Sequence, residues 1–139
     1  MDDFRARLQS FCSDNGWTQF TFDVMWTALI NASVYSLSCL LFFDLPSLRT
    51  TFEEHDAKFL QKFIQSLPLE PDVVRAIGIH DQDDARKIRD KGFTVGDLLD
   101  NLKSESDVQE ILELERPALG CVWNFTERFI TVPKSSKMQ

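Results

Sequence analysis

The chain has little of almost everything that announces chemistry. Its three cysteines, Cys12, Cys39 and Cys121, form an odd set with no close pair and no neighbouring histidine. That excludes a disulfide framework and a clustered zinc site. Cys39 and Cys121 fall within apolar helical patterns, where a buried free thiol is the ordinary outcome, and free thiols point to a reducing, intracellular and cytoplasmic setting. With only two histidines, His55 and His80, acid–base chemistry would fall to carboxylates. A nucleophile elbow, a phosphate-binding glycine loop, a paired-histidine motif and a Cys-x-x-Cys are all missing. Glu53-Glu54-His55-Asp56 is the sole run that sets carboxylates beside an imidazole, and acidic residues at the start of a helix have a simpler reason in the helix dipole. The chain reads as a non-enzyme, with no cofactor, metal or small-molecule substrate implied.

Positive charge is scarce as well. Fifteen Lys and Arg stand against 22 Asp and Glu, giving a formal net charge of −7. The imbalance is shared between the two halves, so no basic face offers itself to phosphates and nucleic-acid binding is disfavoured. The opening Met1-Asp2-Asp3 lacks the basic-then-apolar order of a secretory leader, so none is expected. Five Gly and five Pro argue against low complexity.

What the chain does have is apolar residues at helical spacing. At 43% hydrophobic and 27% charged, with twelve Phe, the composition is that of a folded domain rather than a disordered chain. Phe4, Leu8, Phe11 and Cys12 define a short amphipathic helix over Asp2 to Ser13, ended by Asn15-Gly16. From Trp17 to Phe43 the pattern predicts one long apolar helix, uncharged from Met25 onward. That uncharged run approaches the ~20 residues of a membrane span. Flanking Asp23 and Asp44, internal Asn31 and the absence of nearby Lys or Arg favour a helix buried on nearly all sides. Pro46 breaks the pattern, and a further helix follows, with Thr50 and Thr51 as candidate caps and a stripe of Phe52, His55, Phe59, Phe63 and Leu67.

Pro68 and Pro71 mark the expected boundary between an N-terminal helical region, 1–67, and a C-terminal one, 68–131, with 132–139 a flexible tail; the alternative is one folded unit. Pro71 opens a short helix that Gly78 closes. His80-Asp81-Gln82-Asp83-Asp84 invites a metal reading, but its spacing is not that of a calcium loop. Asp81 suits a helix cap, followed by first-turn acids and then Arg86, Lys87, Arg89 and Lys91, with Gly92 as the left-handed stop. Thr94 with Asp97, and Ser104 with Asp107, are two further capping signatures, and Pro117 suits the first turn of a last, longer helix.

Gly92-Phe93, Gly96, Leu98-Leu99, Leu102, Ser104-Glu105-Ser106-Asp107-Val108 and the stretch from Arg116 onward resemble the last three helices of a sterile alpha motif (SAM) domain. Val74, Ile77-Gly78-Ile79 and Ala85 to Ile88 would supply the first two helices, so the resemblance covers Leu67 to Ile130, about half the chain. The expected fold is therefore all-α, a compact multi-helix bundle whose C-terminal half is a SAM-like five-helix unit. The resemblance implies head-to-tail association, an acidic surface of Asp97, Asp100, Glu105 and Asp107 meeting the start of a last helix marked by Arg116. Glu113 and Glu115 beside that single arginine favour a basic heterotypic partner over polymerisation.

The function expected is that of a non-enzymatic protein–protein interaction module, an adaptor or an oligomerisation unit, with a protein partner or a second copy. Two alternatives place the weight on the long apolar helix. One is a self-assembling shell or capsid-like protein of a virus or mobile element; the other is a small membrane-associated protein using residues 25–43.

Overall fold

The computed structural model describes residues 3–129. Ile130 and the expected tail, 132–139, lie outside the described residues. Ten helices make up the secondary structure described, joined by short turns. The only β-type pairing among the described residues is an isolated bridge between Pro68 and Thr94.

Helix α1, Asp3–Asp14, buries Phe4, Leu8 and Cys12 and ends where Asn15 Nδ2 donates to the Phe11 carbonyl at 2.8 Å and Gly16 turns to φ 83°. Helix α2 runs over Gln19–Asn31 and opens on a capping box between Thr18 and Thr21. The expected single helix from Trp17 to Phe43 is not formed. α2 stops at Asn31, and a separate short helix α3, Leu37–Leu41, starts under the Ser36 cap.

The break has a local cause. Ser33 takes φ 65°, its N–H donates to the Ile30 carbonyl at 2.9 Å, and the Val34 N–H reaches the Leu29 carbonyl at 2.9 Å. This pair of reverse bonds satisfies helix-end carbonyls, and Val34 packs into the core with Leu29, both almost fully buried. Burial is also less complete than the expected buried helix implies. α2 buries Phe22, Met25 and Leu29 but leaves Phe20 and Val24 exposed at 74% and 53%.

Pro46 does more than interrupt. It lies in the first turn of α4, Leu45–Thr51, whose cap is Asp44 accepting from the Ser47 N–H at 2.9 Å. Thr50 and Thr51 therefore end a helix rather than cap the next one. α5, Glu54–Ser66, starts after Glu53 and buries Ala57, Phe59, Leu60, Phe63 and Ile64.

In the second half the capped helix starts lie where the sequence places them, but Pro117 stands in the turn before the last helix rather than in its first turn. α6 spans Pro71–Ile77 and closes on left-handed Gly78 at φ 115°. A side chain there would be strained, and it would also meet Cys121 Sγ at 3.4 Å. α7, Gln82–Asp90, is capped by Asp81, with acids in its first turn and Lys87 and Arg89 in its last. α8 covers Val95–Asn101, α9 Glu105–Leu112 and α10 Ala118–Phe129.

Both halves share one continuous hydrophobic core. α3 packs on α6, α5 on α8, and α10 on α6, α8 and α9. Polar ties cross the Pro68–Pro71 segment too. Val95 N–H donates to the Leu67 carbonyl at 2.8 Å, and Arg7 Nη2 donates to Glu70 and Asp72 at 2.7 and 3.1 Å. Arg128 Nη2, on α10, donates to the Leu41 carbonyl at the end of α3 at 2.8 Å. A cation there complements the negative end of the α3 dipole.

Candidate interaction surfaces

Two kinds of surface stand out, a charged cleft in the second half and an apolar face in the first. The cleft lies between α9 and the start of α10. It has a volume of about 420 Å³ and is lined by Glu105, Ser106, Gln109, Glu115, Arg116 and Leu119. Arg116 Nη2 donates to Glu105 Oε2 at 3.1 Å, with both side chains about half exposed or more. A pair this open to water contributes little to stability.

The five residues expected to carry partner binding divide sharply. Glu105 and Arg116, assigned to opposite surfaces on sequence grounds, meet each other in one chain. Asp97 closes a capping box, its Oδ2 accepting from the Thr94 N–H at 2.9 Å while the Thr94 hydroxyl accepts from the Asp97 N–H at 3.2 Å. Asp107 behaves similarly, its Oδ2 accepting from the Lys103 N–H at 2.8 Å. Both carboxylates are engaged in holding helix starts. Asp100 is exposed on α8, so Asp100 and the Glu105–Arg116 pair are the members turned outward.

The exposed apolar residues lie in the stretch on which the shell-like and membrane alternatives placed their weight. Among the described residues, Phe20, Val24, Tyr35 and Phe42 are the large hydrophobic residues exposed to solvent, at 74%, 53%, 59% and 81%. All four fall between the start of α2 and the residue that caps α3, within the Trp17 to Phe43 stretch that reads in sequence as one buried helix. Phe42 is flanked by the Arg128 guanidinium, 5.8 Å from the ring centroid. Burial lowers the basicity of Arg128, with Asp44 acting in the opposite sense, and its Nε is buried without a partner.

No protein-family model, curated protein or solved structure matches this chain.

Function therefore has to be argued from these surfaces and from the remaining titratable groups. Cys12 is buried against α5 and its thiol is pushed up to about 11, chiefly by desolvation and secondarily by Asp56. At neutral pH it is a protonated core group, the opposite of an activated nucleophile. Desolvation likewise raises Asp56, with His55 opposing the shift. The His55 ring stacks on Trp17 at 5.3 Å and 12°, and Trp17 in turn meets Phe59 at 4.2 Å. His55 thus lies exposed against Trp17 and Asp56 is half-buried, while Glu53 and Glu54 are exposed at the start of α5.

Cys39 is different. The Ser36 hydroxyl bond, at 3.4 Å from Sγ, is the largest cause lowering its thiol below the ordinary value. Among the described residues no group of three or more His, Cys, Asp and Glu comes close enough to hold a metal ion. Nor is any helix among them long and apolar enough to cross a membrane.

Proposed function

We propose that this chain is a non-enzymatic protein-interaction module whose contact surface is formed by the exposed apolar residues of α2 and of the turns on either side of α3. The observation that carries the reading is the concentration of exposed Phe20, Val24, Tyr35 and Phe42 in one short stretch. Single exposed hydrophobics are normal on any protein, but several large ones in one segment are the usual mark of a contact site. Aromatic residues with an adjacent arginine are also the side chains that most often dominate binding energy.

The test is a paired substitution. Phe20→Ser with Phe42→Ser removes the two most exposed rings and should leave the melting temperature within a few degrees of wild type. It should abolish association, whether measured as self-association by sedimentation or as capture of a purified partner. Association that survives this double change rules out the α2–α3 face as the contact.

A SAM-like mode is the second reading, supported by the cleft that joins Glu105 and Arg116. Because those two groups pair within one chain, a partner would have to open the pair and supply a replacement charge to each. Asp100→Lys with Glu105→Lys probes this mode cleanly. Reversing Asp97 does not, because it also removes the α8 cap. If binding falls with Asp100→Lys and Glu105→Lys but not with the aromatic changes, the SAM-like mode replaces the apolar face.

A further inference from the structure

We infer that Asn15 is a site of spontaneous deamidation, with water as the co-reactant, and that the change loosens the end of α1 from α5. This modification does not depend on which surface carries a protein contact.

The chemistry follows from the Asn15-Gly16 pair. The Gly16 backbone nitrogen gives up its proton to hydroxide and attacks the carbonyl carbon of the Asn15 side chain. A C–N bond forms and closes a five-membered imide, the bond to Nδ2 breaks, and the amine leaves as ammonia carrying a proton returned by solvent. Water then opens the imide at either carbonyl. One product is aspartate in the ordinary chain, and the other is isoaspartate, in which the backbone runs through the side-chain methylene. A side chain on the following residue shields the attacking nitrogen, and glycine has none. Glycine also gives the backbone the most freedom to bring that nitrogen round.

The fold singles out Asn15 among the asparagines. Asn31, Asn101 and Asn124 lie within α2, α8 and α10, where ring closure would require the backbone to leave helical geometry. The residues that follow them are Ala32, Leu102 and Phe125, the last two fully buried. Asn15 lies just beyond α1, and both it and Gly16 are exposed. The space where a Gly16 side chain would stand holds no other atom within 4 Å. Two hydrogen bonds restrain the pair at rest. Asn15 Nδ2 donates to the Phe11 carbonyl at 2.8 Å, and the Gly16 N–H donates to the Ser13 carbonyl at 3.1 Å. Both close the last turn of a helix, which is the part that opens most readily. The reaction is therefore slowed by folding and proceeds each time that turn opens.

The product acts against the fold. A carboxylate cannot donate to the Phe11 carbonyl, and it puts negative charge at the negative end of the α1 dipole. Asp14 already stands there, and the last turn of α1 has no basic residue. The same turn positions Trp17, whose N–H donates to the Cys12 carbonyl at 2.9 Å and whose ring lies against His55 and Phe59 of α5. Phe11 itself meets Phe59 and Phe63. Isoaspartate lengthens the backbone just ahead of Trp17 and disturbs these contacts further.

The experiment incubates the full chain in neutral buffer, in mildly alkaline buffer and in denaturant, and locates amide-to-acid conversion by peptide mass spectrometry. Conversion should appear at Asn15 before Asn31, Asn101 or Asn124, rise with pH, and run faster in denaturant than in the folded chain. The incubated protein should lose a few degrees of melting temperature and show a displaced Trp17 indole N–H signal. Asn15→Gln, whose ring closure would be six-membered, should keep its melting temperature through the same incubation. Asn15→Asp, which carries the linear product from the start, should show the lowered melting temperature without incubation.

An Asn15 that stays an amide, or conversion that begins at another asparagine, would overturn the site. An incubated protein converted at Asn15 that keeps the wild-type melting temperature and Trp17 signal would overturn the loosening of α1.

Discussion

Ser33 holds a left-handed backbone conformation, φ 65°, at the one point where the apolar run from α2 toward α3 must turn. For a residue with a Cβ that conformation costs about 1–2 kcal/mol, and glycine adopts it without that penalty. Ser33→Gly should therefore stabilise the fold. Part of the gain is lost to the greater freedom of an unfolded glycine, leaving a net effect below about 1 kcal/mol, or a rise of a few degrees in melting temperature. A lower melting temperature would mean that the Ser33 side chain contributes something beyond its backbone. The same residue explains why the break was invisible in sequence. Gly16, Gly78 and Gly92 announce their turns by residue type, and all three have positive φ. A serine in the left-handed region carries no such mark, and Glu113, at φ 57° after α9, is equally silent. Asp97 and Asp107 show the converse. Their capping role is written in the Thr94-x-x-Asp97 and Ser104-x-x-Asp107 spacings, and that role leaves them less free for the partner contact the SAM resemblance assigned to them.

Helix starts were the most legible elements. Asp81, Thr94 and Ser104 cap where their side chains and following residues say they should, because a cap is a local interaction fixed by three or four neighbouring residues. The stretch from Asp44 to Glu53 was harder. Pro46 is compatible both with a stop and with a first helical turn, and the choice is made by Asp44, which accepts from the Ser47 N–H. Hydrogen bonding from the Ser47 side chain, and then from its backbone N–H, holds the Asp44 carboxyl below its ordinary value of 3.8, aided at longer range by Arg128. A depressed folded value means that the stabilising contribution is complete above the ordinary value and is lost as pH falls through the lowered one. Asp44→Ala should thus cost about 1 kcal/mol near neutral pH, with the gap to wild type closing in acid below the usual carboxylate range. Thermal melts of both proteins across pH would check it. A gap that stays constant into strong acid would show that the carboxylate charge is not what stabilises α4. The outer face of α2 was illegible for another reason. An apolar helix reads as buried from sequence alone, and whether its second face is covered depends on where the neighbouring helices pack.

At the scale of the molecule, buried residues on both sides of the proline-marked segment belong to one hydrophobic cluster. α5 packs on α8 and α3 on α6 across it, and Arg128 reaches from the last described helix to the Leu41 carbonyl. Contacts of such sequence separation are the part of the fold that no local pattern encodes. The Glu105–Arg116 pair is a smaller instance, formed because the turn after α9 brings the start of α10 back beside the start of α9. This packing buries one face of α2 and leaves the other, with Phe20 and Val24, open to water, as it does Tyr35 and Phe42 further along.

That the exposed apolar residues from Phe20 to Phe42 carry a protein contact is the central claim, and association of the full chain before and after Phe20→Ser with Phe42→Ser tests it most directly. The account predicts that the double change abolishes association while the melting temperature stays within a few degrees of wild type. Association that survives the double change in a folded protein would contradict it.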